Sequence, residues 1–323
     1  MLRRATDDGG CVIRVERYEP AQRTRWNEFI ARSKNGVFLF HRDYMEYHAD
    51  RFVDHSLVFL DDDKPVALLP ANRREDALVS HGGLTYGGFV TDERMRATTM
   101  LRLFDALSEH CNAEGLKKVV YKSVPHIYHR VPAEEDLYAL FAKNAKLFRR
   151  DISSSVFLAE RPPVTKGRKC SIKKARSAGL RVIRSDEIER FMSIEEENLQ
   201  KRYNTKPTHS AAELRLLVQR FPDNIKLYAA YRGDEMLGGV VVYETARVAH
   251  SQYIATTDAG RELSAHDLVM DELLNQVYTS KAYFDFGIST EQQGRYLNAG
   301  LIENKESYGA RAVTYDHYEL EVA

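Results

Sequence analysis

LVFLDDDKPVALLP, residues 57–70, is a β-hairpin in outline: two aliphatic runs flank a polar turn at Asp61 to Lys64. LYAAYRGDEMLGGVVV, residues 227–242, repeats the plan, with its turn at Arg232 to Glu235. The two stretches lie roughly 165 to 170 residues apart, and element order agrees around both, which is the signature of a duplicated unit.

Working outward from the first hairpin, Cys11 to Tyr18 alternates as a strand, and the helix after it carries Trp26, Phe29 and Ile30 on one face. A third strand is expected around Ala77 to Val90. An amphipathic helix with Met100, Phe104, Leu107 and Cys111 follows, ended by Gly115, and Lys117 to Tyr121 is the next strand. Around the second hairpin the order returns. Leu180 to Ile183 reads as a strand. Glu187 to Tyr203 and Ala211 to Phe221 read as helices, the second opened by a Ser210/Glu213 capping box. Val248 to Thr256 is a strand, Ser264 with Asp267 caps a helix carrying Met270, Leu273, Leu274 and Val277, and Tyr283 to Ile288 is a strand.

The composition sets outer limits. A chain of 323 residues exceeds one compact core, and its 43% hydrophobic and 29% charged content is that of two ordinary globular domains. The 47 basic and 47 acidic residues cancel, so a polyanion would have to meet a local patch. No apolar run approaches a membrane span and no signal-like start is present, so a cytoplasmic protein is expected. Cys11, Cys111 and Cys170 lack metal or disulfide spacing. His126 and His129 stand without a third ligand and read as a solvated loop, so no metal is expected.

Two stretches resemble a known group beyond topology. Lys169-Cys-Ser-Ile-Lys-Lys-Ala-Arg-Ser-Ala-Gly179 is similar to the basic helix that opens the second domain of Fem-type aminoacyltransferases and related polysaccharide-associated acetyltransferases. Phe284-Asp-Phe-Gly287, running on through Asn298 and Gly300 to Lys305-Glu-Ser-Tyr-Gly309-Ala-Arg311, resembles that group's C-terminal motif. The resemblance implies an α/β (α+β) fold of two tandem GNAT-like domains, each a mixed central sheet flanked by helices. Residues 1–160 would form a degenerate first copy and 161–323 a second copy carrying the motifs. It also implies an acyl-CoA-dependent N-acyltransferase with acetyl-CoA as donor, acting on the amine of a sugar or cell-envelope polysaccharide precursor. The alternatives are a Fem-type enzyme taking its acyl group from aminoacyl-tRNA, and a non-catalytic ligand-binding module.

Acyl transfer to an amine needs a base for the amine, a polarised carbonyl and a proton for the leaving group. Glu291, in a polar loop, is the preferred base or amine-binding group. Asp285 faces either the cleft or a structural partner in the core, and Tyr308 is the proton donor that the resemblance implies. Lys305 and Arg311 are candidates for phosphate or carboxylate, and Asn298 shapes their loop. Lys169, Lys173 and Arg176 share one helical face that suits a diphosphate or tRNA phosphate, against the alternative of a solvated helix. Tyr203 and His209 lie in a connection on the acceptor side. His250 and Tyr253 lie on one strand, with His250 equally readable as a half-buried structural histidine. Relatives that use coenzyme A carry a glycine-rich turn ahead of the helix after the meander; Asp258-Ala-Gly260-Arg-Glu-Leu-Ser264-Ala-His266 has one glycine and an acid there. Ser264, Ala265 and His266 still open a helix whose free N–H groups suit a phosphate.

Overall fold

The computed structural model describes residues 13–322, the Tyr203 side chain excepted. The chain divides into two compact units, residues 1–148 with 316–323, and residues 149–315. The expected division at 160/161 shifts for two reasons. A strand that the sequence reading did not pick out, Lys146–Phe157, gives its larger part to the second unit, and the chain end returns to the first by pairing His317–Glu321 with Lys118–Lys122.

In the first unit, Arg14–Arg17, Leu57–Asp61, Lys64–Leu69 and Val90–Thr91 form an antiparallel sheet in that order. Cys11, the expected start of the first strand, lies outside the described residues. The single strand expected over Ala77 to Val90 is two, Ala77–Val79 and Val90–Thr91, because Gly82, Gly83, Gly87 and Gly88 turn the chain between them. Helix Ala97–Ala113 lays Met100, Phe104, Leu107 and Cys111 into a core with Leu57, Phe59, Phe89 and Tyr121. Burial pushes the Cys111 thiol up to about 12, so it is an inert filler. His126 opens a helical turn and is exposed, whereas His129 is buried with Nε2 3.0 Å from the Val124 carbonyl, which corrects the solvated loop.

The second unit contains β1 (Lys146–Phe157), α1 (Lys166–Ser177), β2 (Arg181–Ser185), α2 (Ile188–Tyr203), α3 (Ala211–Arg220), β3 (Ile225–Arg232), β4 (Glu235–Glu244), β5 (Val248–Thr256), α4 (Asp258–Glu262), α5 (Ala265–Glu272), β6 (Tyr283–Ile288), β7 (Thr290–Glu291), β8 (Tyr296–Leu297), α6 (Ala299–Glu306) and the start of β9 (Arg311–Glu321). Its sheet runs β2-β3-β4-β5-β6-β1, antiparallel except for the β5/β6 pair. The expected hairpin and the Ser210/Glu213 capping box are present.

Two irregularities position the site. Strands β5 and β6 pair only over Val248–His250 and Tyr283–Asp285, after which the two part from each other, β5 staying with β4 and β6 with β1, and Gly287, at φ +76°, bends β6 away. In β5 the register slips by one: Tyr253 faces Val241 but Ser251 faces Val242, leaving Gln252 as a bulge. Strand alternation alone would put positions 250 and 253 on opposite faces. The bulge brings His250 and Tyr253 to the same face, which Asp285 shares through its pairing with His250. On the other face, Val240, Val242, Ala249, Phe284 and Phe286 pack with Met270 and Leu273 below α5 and with Ile172 and Ala175 of α1. The unit therefore has an apolar side that holds it together and a polar side free for chemistry.

Candidate functional site

Asp285 is wholly buried and accepts four hydrogen bonds. Ser153 and Ser155 donate to Oδ1 at 2.6 Å each, while His250 Nδ1 and Tyr315 Oη approach Oδ2 at 2.8 and 2.7 Å. Burial alone would raise its pKa, but the hydrogen bond and charge of His250, with the two serine hydroxyls, hold the carboxyl well below the usual carboxylate range. Such a group does not accept a proton in turnover. An ionised carboxylate can only accept, so His250 donates from Nδ1, and in the neutral ring this tautomer leaves Nε2 as the acceptor for another partner. A Cβ on Gly287 would sit 3.3 Å from His250 Cε1, so the missing side chain leaves space beside the imidazole where the two strands part. The pair has the geometry of an imidazole oriented by a buried carboxylate, with Nε2 turned to the space beside Gly287.

Lys305, reaching in from α6, is buried at 6% exposure and donates to the Gly287 and Ile288 carbonyls at 2.8 Å each. It pins the backbone immediately past Asp285 and retains one ammonium N–H. Burial pushes its pKa down to about 8, with Asp285 pulling the other way.

Farther along the same face, Tyr253 Oη accepts from the His209 backbone N–H at 3.2 Å and lies 2.5 Å from His209 Nδ1. Burial raises the phenol to about 12 against the pull of that N–H, with the nearby Glu195 carboxylate adding to the rise. Glu195 itself is buried on α2, and burial brings its carboxyl up to about 7, against a smaller opposing effect of Arg202. A carboxyl poised there takes or gives a proton near neutrality. The Tyr203 side chain lies outside the described residues.

Glu291 lies exposed on the β7/β8 hairpin, in the polar loop expected for it, and accepts from Asn298 Nδ2 at 2.9 Å; Asn298 caps α6 through Leu301 N–H and so shapes this loop as expected. Tyr308 is 1% exposed on the apolar side, where its hydroxyl donates to Asp267 at 2.8 Å. Burial and Asp267 both raise its pKa, and the proton stays on oxygen away from the parted strands. Tyr308→Phe is therefore expected to leave turnover within about threefold of wild type while costing about 1–2 kcal/mol in thermal or denaturant unfolding, from the lost partner of Asp267. Arg311 is exposed and donates to its neighbour's carbonyl, Ala310 O, at 2.6 Å.

The expected phosphate turn also differs. Ser264 opens α5 in the left-handed region, φ 60°, without a side-chain cap, and Ala265 is fully buried. Asp267 does not help to cap the helix; it accepts from Arg168 Nη1 at 2.6 Å and from Tyr308. His266 packs edge-on against Tyr308, and burial lowers it to about 4, so it is neutral. Gly260 is a packing glycine: a Cβ there would come within 2.0 Å of the Leu237 carbonyl. The start of α5 already holds a carboxylate and its arginine, a poor seat for a diphosphate.

Lys169, Lys173 and Arg176 do share one face of α1, and it lines a groove of ≈ 490 Å³ with Arg161, Asp271 and Asn275. Ser153, Ser155, Tyr315 and Glu195 are the residues that sequence reading missed. Alternation of Ser153 and Ser155 along DISSSVF, and Glu195 in line with Ile188, Phe191 and Met192 on a helix, were the available signals.

Residues 167–296 match the family model described as the acetyltransferase (GNAT) domain. No curated protein matches the sequence. Among solved structures, the chain is similar to FemX, with a TM-score of 0.67 at 11% identity over 94% of this chain and 96% of that one. It is also similar to the C-terminal domain of a putative lysylphosphatidylglycerol synthetase from Agrobacterium fabrum, with a TM-score of 0.61 at 9% identity over 93% and 91%. The L-PGS from Bacillus licheniformis gives 0.59 at 13% identity over 94% and 92%. Such distant likenesses speak for the fold, and the matched segment spans α1 to β8, including the parted strands and the His250–Asp285 pair. Residues 167–296, the larger part of the second unit, therefore carry the similarity to the acetyltransferase (GNAT) domain, and the unit has the GNAT fold.

Proposed function

We propose that the chain transfers an acyl group from an activated donor to a primary amine by direct attack, and that the amine belongs to a sugar or other cell-envelope precursor. The observation that carries this reading is the oriented His250–Asp285 pair at the point where β5 and β6 part. His250 Nε2 takes the amine proton as the N–C bond forms, and Asp285 stabilises the resulting imidazolium. The proton then passes to the leaving sulfur or oxygen as the donor bond breaks, so no covalent enzyme intermediate is needed. Lys305, bonded to the Gly287 and Ile288 carbonyls, supplies a positive charge beside the parted strands for the oxyanion. Tyr253, His209 and Glu195 line the acceptor side.

Acyl-coenzyme A is the donor that the domain family implies. The Arg168–Asp267–Tyr308 group at the start of α5 favours the second reading, an aminoacyl ester of tRNA, because it takes the place of the usual diphosphate turn. We assign no step to the diphosphate there.

Mass spectrometry of amine-bearing sugar nucleotides and peptidoglycan-type peptides, incubated with acetyl-CoA or with aminoacyl-tRNA, tests both donors. One donor is expected to add its acyl mass to an amine, and the His250→Ala protein should not. Transfer from neither donor, with ligand binding retained, would favour the non-catalytic module.

A further inference from the structure

The face of α1 that lines the groove carries more positive charge than its neighbours neutralise. Arg176 is held by Asp271 at 2.5 Å, Arg161 donates to Asn275, and Asn275 donates to Asp271 at 2.7 Å. These contacts fix a floor on which two guanidinium groups are already oriented. Lys169 and Lys173, one turn apart above it, form no ion pair among the described residues. The groove thus presents four cations against one carboxylate, Asp271, on a chain whose total charge is zero. Unpaired, closely spaced lysines repel one another, and such a concentration is relieved by a multiply charged anion that both can reach.

We infer that this groove binds the nucleotide phosphates of the acyl donor, with Lys169 and Lys173 as the contacting cations and Arg161 and Arg176 as the oriented floor. The assignment rests on the acyl-transfer reading only for the ligand's being the donor. It resolves a conflict that the reading leaves: the start of α5 offers a paired carboxylate where phosphate is usually held, while α1, packed against α5, offers the free charge. The shared chemistry is a phosphorylated nucleotide, present both in coenzyme A and at the acceptor end of tRNA. The two sources differ in salt dependence, since an extended RNA releases many counterions and coenzyme A few.

The test is direct binding of the intact chain, by fluorescence anisotropy or calorimetry, to coenzyme A, to unfractionated tRNA and to inorganic pyrophosphate at two salt concentrations. Lys169→Ala/Lys173→Ala is compared with Lys166→Ala/Lys174→Ala, which removes the same charge from positions outside the groove. All four lysines are exposed, so both proteins should fold. The expected result is at least tenfold weaker binding of one nucleotide probe by the groove variant only, with pyrophosphate competing. If that probe is tRNA, the slope of log K against log salt should also fall by about 1.4–1.8 for two lost contacts. Equal weakening by both variants, or binding unchanged by either, would overturn the assignment. A wild-type chain that binds none of the three probes at low salt would overturn it as well. His250→Ala separates the two proposals: it should bind the probe as wild type does, so a failed groove with His250-dependent turnover refutes only the groove.

Discussion

Replacing His250 by alanine is expected to lower kcat by about 10²–10⁴-fold, the usual contribution of a positioned general base, with the apparent affinity for the donor little changed. The expectation follows from geometry. Nδ1 is committed to Asp285 at 2.8 Å, Nε2 has no partner among the described residues, and the side chain is partly exposed beside the gap left by Gly287. Truncation removes one of the four donors to Asp285 and leaves Ser153, Ser155 and Tyr315 in place, so the fold should survive. The freed space beside Gly287 suits a small base, and added imidazole should restore part of the lost rate. A purely structural histidine would show neither the rate loss in a folded protein nor the rescue. Turnover within threefold of wild type for a well-folded His250→Ala would remove His250 from the mechanism.

Much of the fold could be read before any coordinates, because it rests on periodicity. Val248–Thr256 and Tyr283–Ile288 fall where alternation and composition put them, and the Ser210/Glu213 cap closes as its spacing requires. The site was harder to read for specific physical reasons. Asp285 and His250 were both singled out, but sequence spacing says nothing of a parallel pairing that sets residues 35 positions apart side by side. A one-residue bulge at Gln252, invisible in the alternation of VAHSQYIAT, decides that Tyr253 shares their face. The serines of DISSSVF carry no charge and drew no notice, yet they make two of the four hydrogen bonds to Asp285. Tyr308 is singled out by resemblance alone, and a motif does not say which side of the sheet its phenol enters; here it lies in the core on Asp267.

Asp285→Asn is the substitution in which stability and turnover should fall together. The amide oxygen can still accept from Ser153 and Ser155, but its NH₂ would then face the Tyr315 hydroxyl and His250 Nδ1. The imidazole can meet an N–H donor only by moving its own proton to Nε2, the atom that must be free to take the amine proton. Turnover should therefore drop by about 10²–10⁴-fold, as for loss of the base, through the wrong tautomer rather than an absent ring. Breaking a buried charged pair should also cost about 3 kcal/mol, read as a lower unfolding midpoint of the second unit. Acid provides an independent check. The Asp285 carboxyl is held below its unfolded value, so its contribution is fully present above the ordinary carboxylate pKa of about 4 and drains away as pH falls further. The stability gap between wild type and Asp285→Asn should thus be constant from neutrality to about pH 5 and shrink below it. A gap that persists unchanged into strong acid would mean that the carboxylate is not the ionised, four-fold hydrogen-bonded group on which the assignment of His250 as base depends.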